Sequence, residues 1–208
     1  MTMIGKPDGP TSVFVIKKNS KLTWKQKLER CKYKIKRTYV EHTIKPESHN
    51  LDEVIEYIVN KYGFVELDHD EVCFERDELR ASFIMQYAPE LLGEYAAMPR
   101  LKSESKEDIE AHIKQFQVRK QRAEEVPVSE FDIDFHKFQI PFDDRNDNMY
   151  IIIEKRFAYI GGGVSGDKKQ MRRFHRIYKD VHRYYGVTAE DIKNKSKRYE
   201  QVIRALTR

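Results

Sequence analysis

The side chains best suited to bind a ligand form a row of cations near the C-terminus. Arg172, Arg176, Lys179 and Arg183 recur at intervals of four, three and four residues, which places them on one side of a helix predicted over 167–185. Arginine binds phosphate groups through two parallel hydrogen bonds, so the row predicts a nucleic-acid contact. A solvated face, or one paired with acidic side chains, is the alternative.

Aromatic rings interleave with this row of cations. Stacking of rings on bases beside phosphate contacts is typical of binding to single strands and to RNA. The interleaved residues are His175, Tyr178, His182 and Tyr185. The same helix has apolar residues for a core face, namely Met171, Phe174, Ile177, Val181 and Tyr184.

A second basic helix is predicted over 23–44. Thr23 and Gln26 have the spacing of a capping box, and Pro46 ends the helix. Its candidate nucleic-acid contacts are Lys25, Lys32 and Lys36, among seven cations. Its apolar stripe has coiled-coil spacing and consists of Trp24, Leu28, Cys31, Ile35, Tyr39 and His42. Polyanion binding and pairing with a partner both fit this helix, and Cys31 is expected in the core. The spread of lysines disfavours a helix lying on lipid.

A glycine run over 161–166 has the spacing G-x-G-x-x-G and precedes a predicted helix. Backbone N–H groups there would hold a phosphate at the helix N-terminus, with Gly161, Gly163 and Gly166 as the candidate contacts. A dinucleotide-binding unit also needs a second parallel strand after the helix, and the sequence predicts another helix there instead. A flexible connection from strand to helix is the alternative interpretation.

The sequence predicts no catalytic residue, no metal site and no cofactor. The seven histidines form no H-E-x-x-H motif, and no serine lies in a G-x-S-x-G motif. The acidic stretch over 143–147 lacks the glycine of a calcium loop and is predicted to be a turn. Two cysteines, Cys31 and Cys73, provide neither a disulfide framework nor a cysteine-based zinc site.

Residues 4–15 (IGKPDGPTSVFV) resemble the Asp-Gly-Pro-Thr segment of the beta subunits of sodium-translocating decarboxylases. In that family the segment belongs to a polytopic membrane protein, and the resemblance would make Asp8 an ion ligand. It covers a dozen residues, and nothing after Lys17 matches, so we do not transfer the function. The rest of the chain is similar to small bacterial proteins without an assigned activity.

Composition narrows the class of protein. The 208 residues are 39% hydrophobic and 12% aromatic, which predicts an ordered core rather than a disordered chain. The longest apolar run is Met149–Ile153, too short to cross a membrane, and residues 1–12 lack the apolar stretch of a signal peptide. We therefore expect a cytoplasmic protein without membrane contact.

Charge is unevenly distributed along the chain. Residues 17–45 contain 11 Lys/Arg and 2 Asp/Glu, residues 46–113 contain 6 and 17, and residues 168–208 contain 13 and 4. Such segregation predicts either a surface for polyanions or pairing of opposite charges, within one molecule or between copies.

The pattern of elements predicts one α+β domain over 1–208, mostly helical, with a small antiparallel sheet of about three strands. An irregular arm over 1–10 and a strand over 11–17 begin it. Further helices are expected at 50–62, 70–86, 89–98 and 105–125, with strands at 64–67, 133–142 and 148–160. A helical hairpin over 167–206 ends it, with Gly186 between its helices.

Three hypotheses for function follow. The leading one is a non-catalytic binding protein that engages nucleic acid or a nucleoprotein complex through its basic helices, as an accessory or inhibitor protein of a bacterial mobile element would. The second is a protein-interaction or self-assembly module that pairs acidic and basic surfaces, either with a protein partner or as a homo-oligomer. The third is an enzyme that binds a phosphorylated ligand at Gly161–Gly166.

Overall fold

A computed structural model describes residues 23–98, 101, 103, 105–142 and 147–207. The predicted arm over 1–10, the strand over 11–17 and most of the turn over 143–147 lie outside this range, as does Asp8.

The described residues confirm an α+β fold with small antiparallel sheets. The helices are α1 (Trp24–Thr43), α2 (Leu51–Tyr62), α3 (Cys73–Tyr87), α4 (Lys106–Glu125), α5 (Lys168–Tyr185), α6 (Ala189–Asn194) and α7 (Lys197–Thr207). Two 3₁₀ helices span His69–Val72 and Pro89–Tyr95. The strands are β1 (Glu47–Ser48), β2 (Val65–Glu66), β3 (Phe135–Pro141), β4 (Asn148–Glu154), β5 (Tyr159–Val164) and β6 (Gly186–Val187). Strands β2-β3-β4-β5 form one sheet in that order, and β1 pairs with β6.

The chain forms two compact units. The first contains the described residues of Leu67–Phe135, and the second combines Ser20–Glu66 with His136–Arg208. The second unit is therefore built from two separated segments of chain. Whether the two units act as the single domain expected from the sequence stays a prediction.

The core of the second unit lies between the four-stranded sheet and three helices, α2, α5 and α7. Every second residue of β4 points into it, because side chains alternate between the faces of a strand. The fully buried side chains of this core include Met149, Ile151, Ile153, Ile160, Val54, Ile58, Val181 and Ile203. At the outer edge of β5, the amide of Ile160 donates to Gln201 and its carbonyl accepts from the Tyr178 hydroxyl.

The first unit packs α3 against α4. Its small core comprises Ala81, Ile84, Leu92, Ala123 and Val126. Two arginines close the surrounding loops by donating to backbone carbonyls: Arg80 to Phe131 and Val126, and Arg119 to Met85, Tyr95 and Ala96. A helix was expected over residues 89–98. The structure has a 3₁₀ helix there over Pro89–Tyr95, interrupted at Gly93, whose backbone dihedral angles are not helical.

Two predicted elements have different boundaries in the structure. The strand expected over 148–160 is a hairpin of β4 and β5, because the buried Glu154 carboxylate accepts from the amides of Arg156 and Phe157 and closes the turn. The second helix of the predicted hairpin, after Gly186, is broken into α6 and α7 at Lys195, which has a φ of 49°.

Candidate nucleic-acid interface

Helix α5 presents the predicted row of cations to solvent. Asp167 caps its N-terminus through a capping box, and Gly186 ends it with a φ of 61°. Phe174, Ile177 and Val181 bury the opposite face. Arg172, Arg176 and Arg183 are exposed as a result, and Lys179 is half-buried.

A carboxylate on α5 fixes this helix against α2. One oxygen of Asp180 accepts hydrogen bonds from Tyr57 at 2.6 Å, Tyr62 at 2.5 Å and Lys61 at 2.7 Å. Partial burial alone would raise the pKa of Asp180, but these three hydrogen bonds outweigh it and lower the pKa to about 2. The Tyr57 ring also stacks on Tyr184 of α5 with a centroid distance of 3.9 Å. The rotation of α5 is thereby fixed.

The contacts that hold α1 on the other described residues of the second unit lie in its C-terminal half. Arg37 donates to Glu41 of its own helix and to Glu200 of α7, both at 2.8 Å. Val40 and Ile44 pack against the core beside these ion pairs. This anchoring brings the C-terminal half of α1 close to α5.

The charges of Lys36 on α1 and of Arg183 on α5 both act on Lys179 of α5. Burial lowers the pKa of Lys179, and the charges of Lys36 and Arg183 lower it further. The structure thus joins the candidate residues of the two basic helices in one cluster. Lys32 and Lys25 lie four and eleven residues before Lys36, so they continue along the same side of α1.

The alternative of a row paired with acidic side chains does not describe most of these cations. Within the described part of the chain, Lys36, Arg172, Arg176 and Arg183 have no carboxylate at ion-pair distance. Lys32 differs, because it lies 3.0 Å from Glu29 of its own helix. We define the basic surface as Lys36, Arg172, Arg176, Lys179 and Arg183.

The prediction that rings on α5 stack on bases is wrong for three of the four residues. His182 and Tyr185 are buried, and Tyr178 is half-buried with its hydroxyl bonded to the carbonyl of Ile160. Burial raises the pKa of Tyr178 and lowers that of His182 to about 4. Only His175 of this set is exposed. Helix α5 therefore presents cations and few rings to solvent.

The loop assumed for the predicted phosphate site is also not formed. Gly161 and Gly163 belong to β5 and lie opposite Ile152 and Tyr150 of β4. At the start of α5, the carboxylate of Asp167 already accepts from the amides of Lys169 and Gln170, both at 2.8 Å. Gly166 has a φ of 149°, in the turn that leads into this cap. The amides of Lys169 and Gln170, which would face a phosphate at this helix N-terminus, are thus bonded to Asp167 instead.

Two features of this region were not predicted from the sequence. Lys168 lies four residues before Arg172, so it extends the row on α5, and its spacing was the available signal. The apolar stripe of α1 was expected to contact a core, yet no residue of α1 is buried and Cys31 is exposed. The expectation for Cys31 is therefore wrong, because α1 rests on its opposite side.

Comparisons with known proteins give no relative. No protein-family model matches the chain, and no curated protein or solved structure is significantly similar to it. In the part of the chain that the structure describes, no helix is both long and apolar enough to cross a membrane. Arguments about function therefore rest on the geometry of the chain.

Proposed function

We propose that this chain binds nucleic acid and holds its sugar–phosphate backbone on the basic surface. The observation that carries the proposal is the row of Arg172, Arg176 and Arg183, which are exposed on one side of α5 and have no carboxylate of the described residues at ion-pair distance. Burial and the charges of Lys36 and Arg183 lower the pKa of Lys179 in the same row. A row of phosphates suits this surface, because each phosphate places a negative charge between cations.

The length of the surface supports a polymer rather than a small anion. Arg172 and Arg183 are eleven residues apart on α5, which corresponds to about 16 Å along the helix axis. One strand of a duplex carries a phosphate about every 3.4 Å of axis, so the row faces four or five of them. Arginine also suits this contact because its guanidinium group forms paired hydrogen bonds with phosphate oxygens.

The buried rings of α5 support contact with the backbone and not with the bases. Phosphate contacts position a protein on nucleic acid and carry no direct sequence information. We therefore expect binding that depends strongly on salt and only weakly on sequence.

The test is a binding titration over a salt series with a fluorescent oligonucleotide. Each phosphate neutralised contributes about 0.7–0.9 to the slope of log affinity against log salt. We expect the triple variant Arg172→Ala, Arg176→Ala and Arg183→Ala to lower this slope by about two to three. The variant should keep the melting temperature of the unchanged protein, because all three side chains are exposed.

A control variant removes the same charge from the first unit: Lys106→Ala, Lys114→Ala and Arg122→Ala. These side chains are exposed on α4. The control should keep the slope of the unchanged protein. Equal loss in both variants would show that net charge alone drives binding, and no binding at low salt would refute the proposed function.

A further inference from the structure

Helix α1 exposes an apolar face that the described residues of its own unit do not cover. Trp24 is 80% exposed, Ile35 65% and Tyr39 69%, and Leu28 and Cys31 are exposed between them. These residues share one side of the helix because they recur at intervals of four and three. Single exposed apolar residues are common on proteins, but a continuous row of them marks an interaction site.

The side of α1 that contacts the second unit is a different one. Arg37, Val40 and Ile44 hold that side through ion pairs with Glu41 and Glu200 and through the core. All of these contacts lie in the last two turns, beyond Lys36. The segment Trp24–Ile35 therefore presents its apolar face outward.

The segment Trp24–Ile35 matches a heptad repeat. Leu28 and Ile35 fall at position a, and Trp24 and Cys31 fall at position d. The positions that flank this seam in a coiled coil are e and g. All four of them in this segment are lysine: Lys25 and Lys32 at e, and Lys27 and Lys34 at g.

We propose that this face docks an amphipathic helix of a partner protein, with heptad spacing and acidic residues at its e and g positions. Residues at e and g choose the partner of a coiled coil, because opposite charges across the seam attract and like charges repel. Four flanking lysines oppose pairing with α1 of a second copy, which would bring lysine against lysine.

The middle of the seam disfavours nucleic acid as its occupant. Bases stack on flat rings, and the two residues at position a, Leu28 and Ile35, are aliphatic. Branched aliphatic residues at position a are instead typical of helix pairs, where each side chain fits between four residues of the partner. This docking face is distinct from the basic surface and adds a protein partner to the proposed function.

Trp24 provides a direct readout because it is the only tryptophan in the chain. The experiment titrates the full-length protein with two synthetic three-heptad peptides that share a Leu/Ile seam. One peptide has Glu at every e and g position, and the other has Lys. We expect the acidic peptide to shift Trp24 emission to the blue as the indole leaves water. The basic peptide should bind more weakly by a factor of at least about ten.

Leu28→Glu and Ile35→Glu should each remove the response to the acidic peptide. Gln26→Glu is the matched control, because it adds the same charge away from the seam and Glu retains the capping box. The proposal is overturned if both peptides bind alike or neither binds. A blue shift caused by raising the protein concentration, or by a single-stranded oligonucleotide, would overturn it in favour of a second copy or of nucleic acid.

Discussion

His182 is fully buried on α5, where its Nδ1–H donates to the carbonyl of Tyr178 at 2.9 Å. Its Nε2 atom has no hydrogen-bond partner among the described residues. A second proton on this ring would thus be a buried, uncompensated charge. Burial lowers the pKa of His182 to about 4 for this reason, and the hydrogen bond to Tyr178 offsets only part of the effect.

We expect the protein to lose stability in mild acid because of His182. The unfolded chain takes up a proton on this residue near pH 6.5, whereas the folded chain does so only near pH 4. Between these values the unfolded state binds more protons, so the free energy of unfolding falls as the pH falls. The total loss is about 3 kcal/mol, from about 1.4 kcal/mol for each unit of pKa difference.

Urea unfolding at pH 7, 6 and 5 measures the part of this loss that falls in that range, about 2 kcal/mol. The variant His182→Gln keeps a polar side chain but cannot titrate, so its stability should decline less with acid than that of the unchanged protein. All other titratable groups are common to both chains, and the difference between the two curves isolates His182. Parallel curves would show that His182 is not responsible.

At the scale of elements, the sequence predicts helices better than strands. Thr23 and Gln26 form the capping box that their spacing predicts, and Asn50 with Glu53 and Thr188 with Asp191 form two more. These signals are local, and local hydrogen bonds suffice to start a helix. The hairpin of β4 and β5 was not predicted, because its turn over 155–158 contains neither Gly, Pro nor Asn and is closed by the side chain of Glu154.

The candidate site was predicted in composition but not in arrangement. The spacing of the α5 cations was sufficient to place them on one exposed side. The approach of Lys36 to Lys179 depends on how α1 rests on α7 through Arg37 and Glu200, which are 163 residues apart. The same contact turns the apolar stripe of α1 outward. No local pattern records a contact between residues so distant in sequence.

The glycines of β5 are explained by the rings and backbone beside them. A Cβ atom at Gly163 would lie 2.7 Å from the hydroxyl of Tyr150, and one at Gly161 would meet the ring of Tyr159. A Cβ atom at Gly162 would lie 2.6 Å from the carbonyl oxygen of Tyr150 and 3.3 Å from the ring of Phe174. Because these glycines have no side chains, rings can cover β5. For the same reason α5 can approach the strand closely.

We predict that Gly162→Ala destabilises the protein by about 1–3 kcal/mol, because β4 backbone must move to admit the methyl group. Gly163→Ala is the matched control in the same strand. Its methyl group meets the end of the half-buried Tyr150 side chain, which can rotate, so a smaller loss is expected. Thermal unfolding of both variants checks this order. A loss at Gly163 equal to that at Gly162 would contradict the explanation.

At the scale of the whole molecule, charge divides between the two units. Residues 67–135 contain 17 acidic and nine basic residues, whereas the two segments 20–66 and 136–208 together contain 16 acidic and 27 basic residues. The unit that contains the basic surface is therefore strongly cationic by itself. On the proposed function, repulsion between the acidic unit and phosphates would weaken binding at low salt, where charges act over longer distances.

Removal of the acidic unit should thus strengthen nucleic-acid binding without changing the contacts. The chain leaves the second unit after Glu66, which pairs with Phe138 in the antiparallel ladder of β2 and β3. An Asn-Gly turn in place of residues 68–136 would join these strands directly as a tight hairpin. We expect a folded chain with higher affinity at low salt and an unchanged salt slope, because the slope counts phosphate contacts on the basic surface.

Circular dichroism, thermal unfolding and the salt series measure these three properties on the shortened chain. Combining the excision with the triple arginine variant should lower the slope as it does in the full chain, which checks that the same surface is used. A steeper slope after excision would mean that the acidic unit had covered further cations. If the shortened chain fails to fold, the second unit needs residues 68–136 for its stability, and its core around β4 is not self-sufficient.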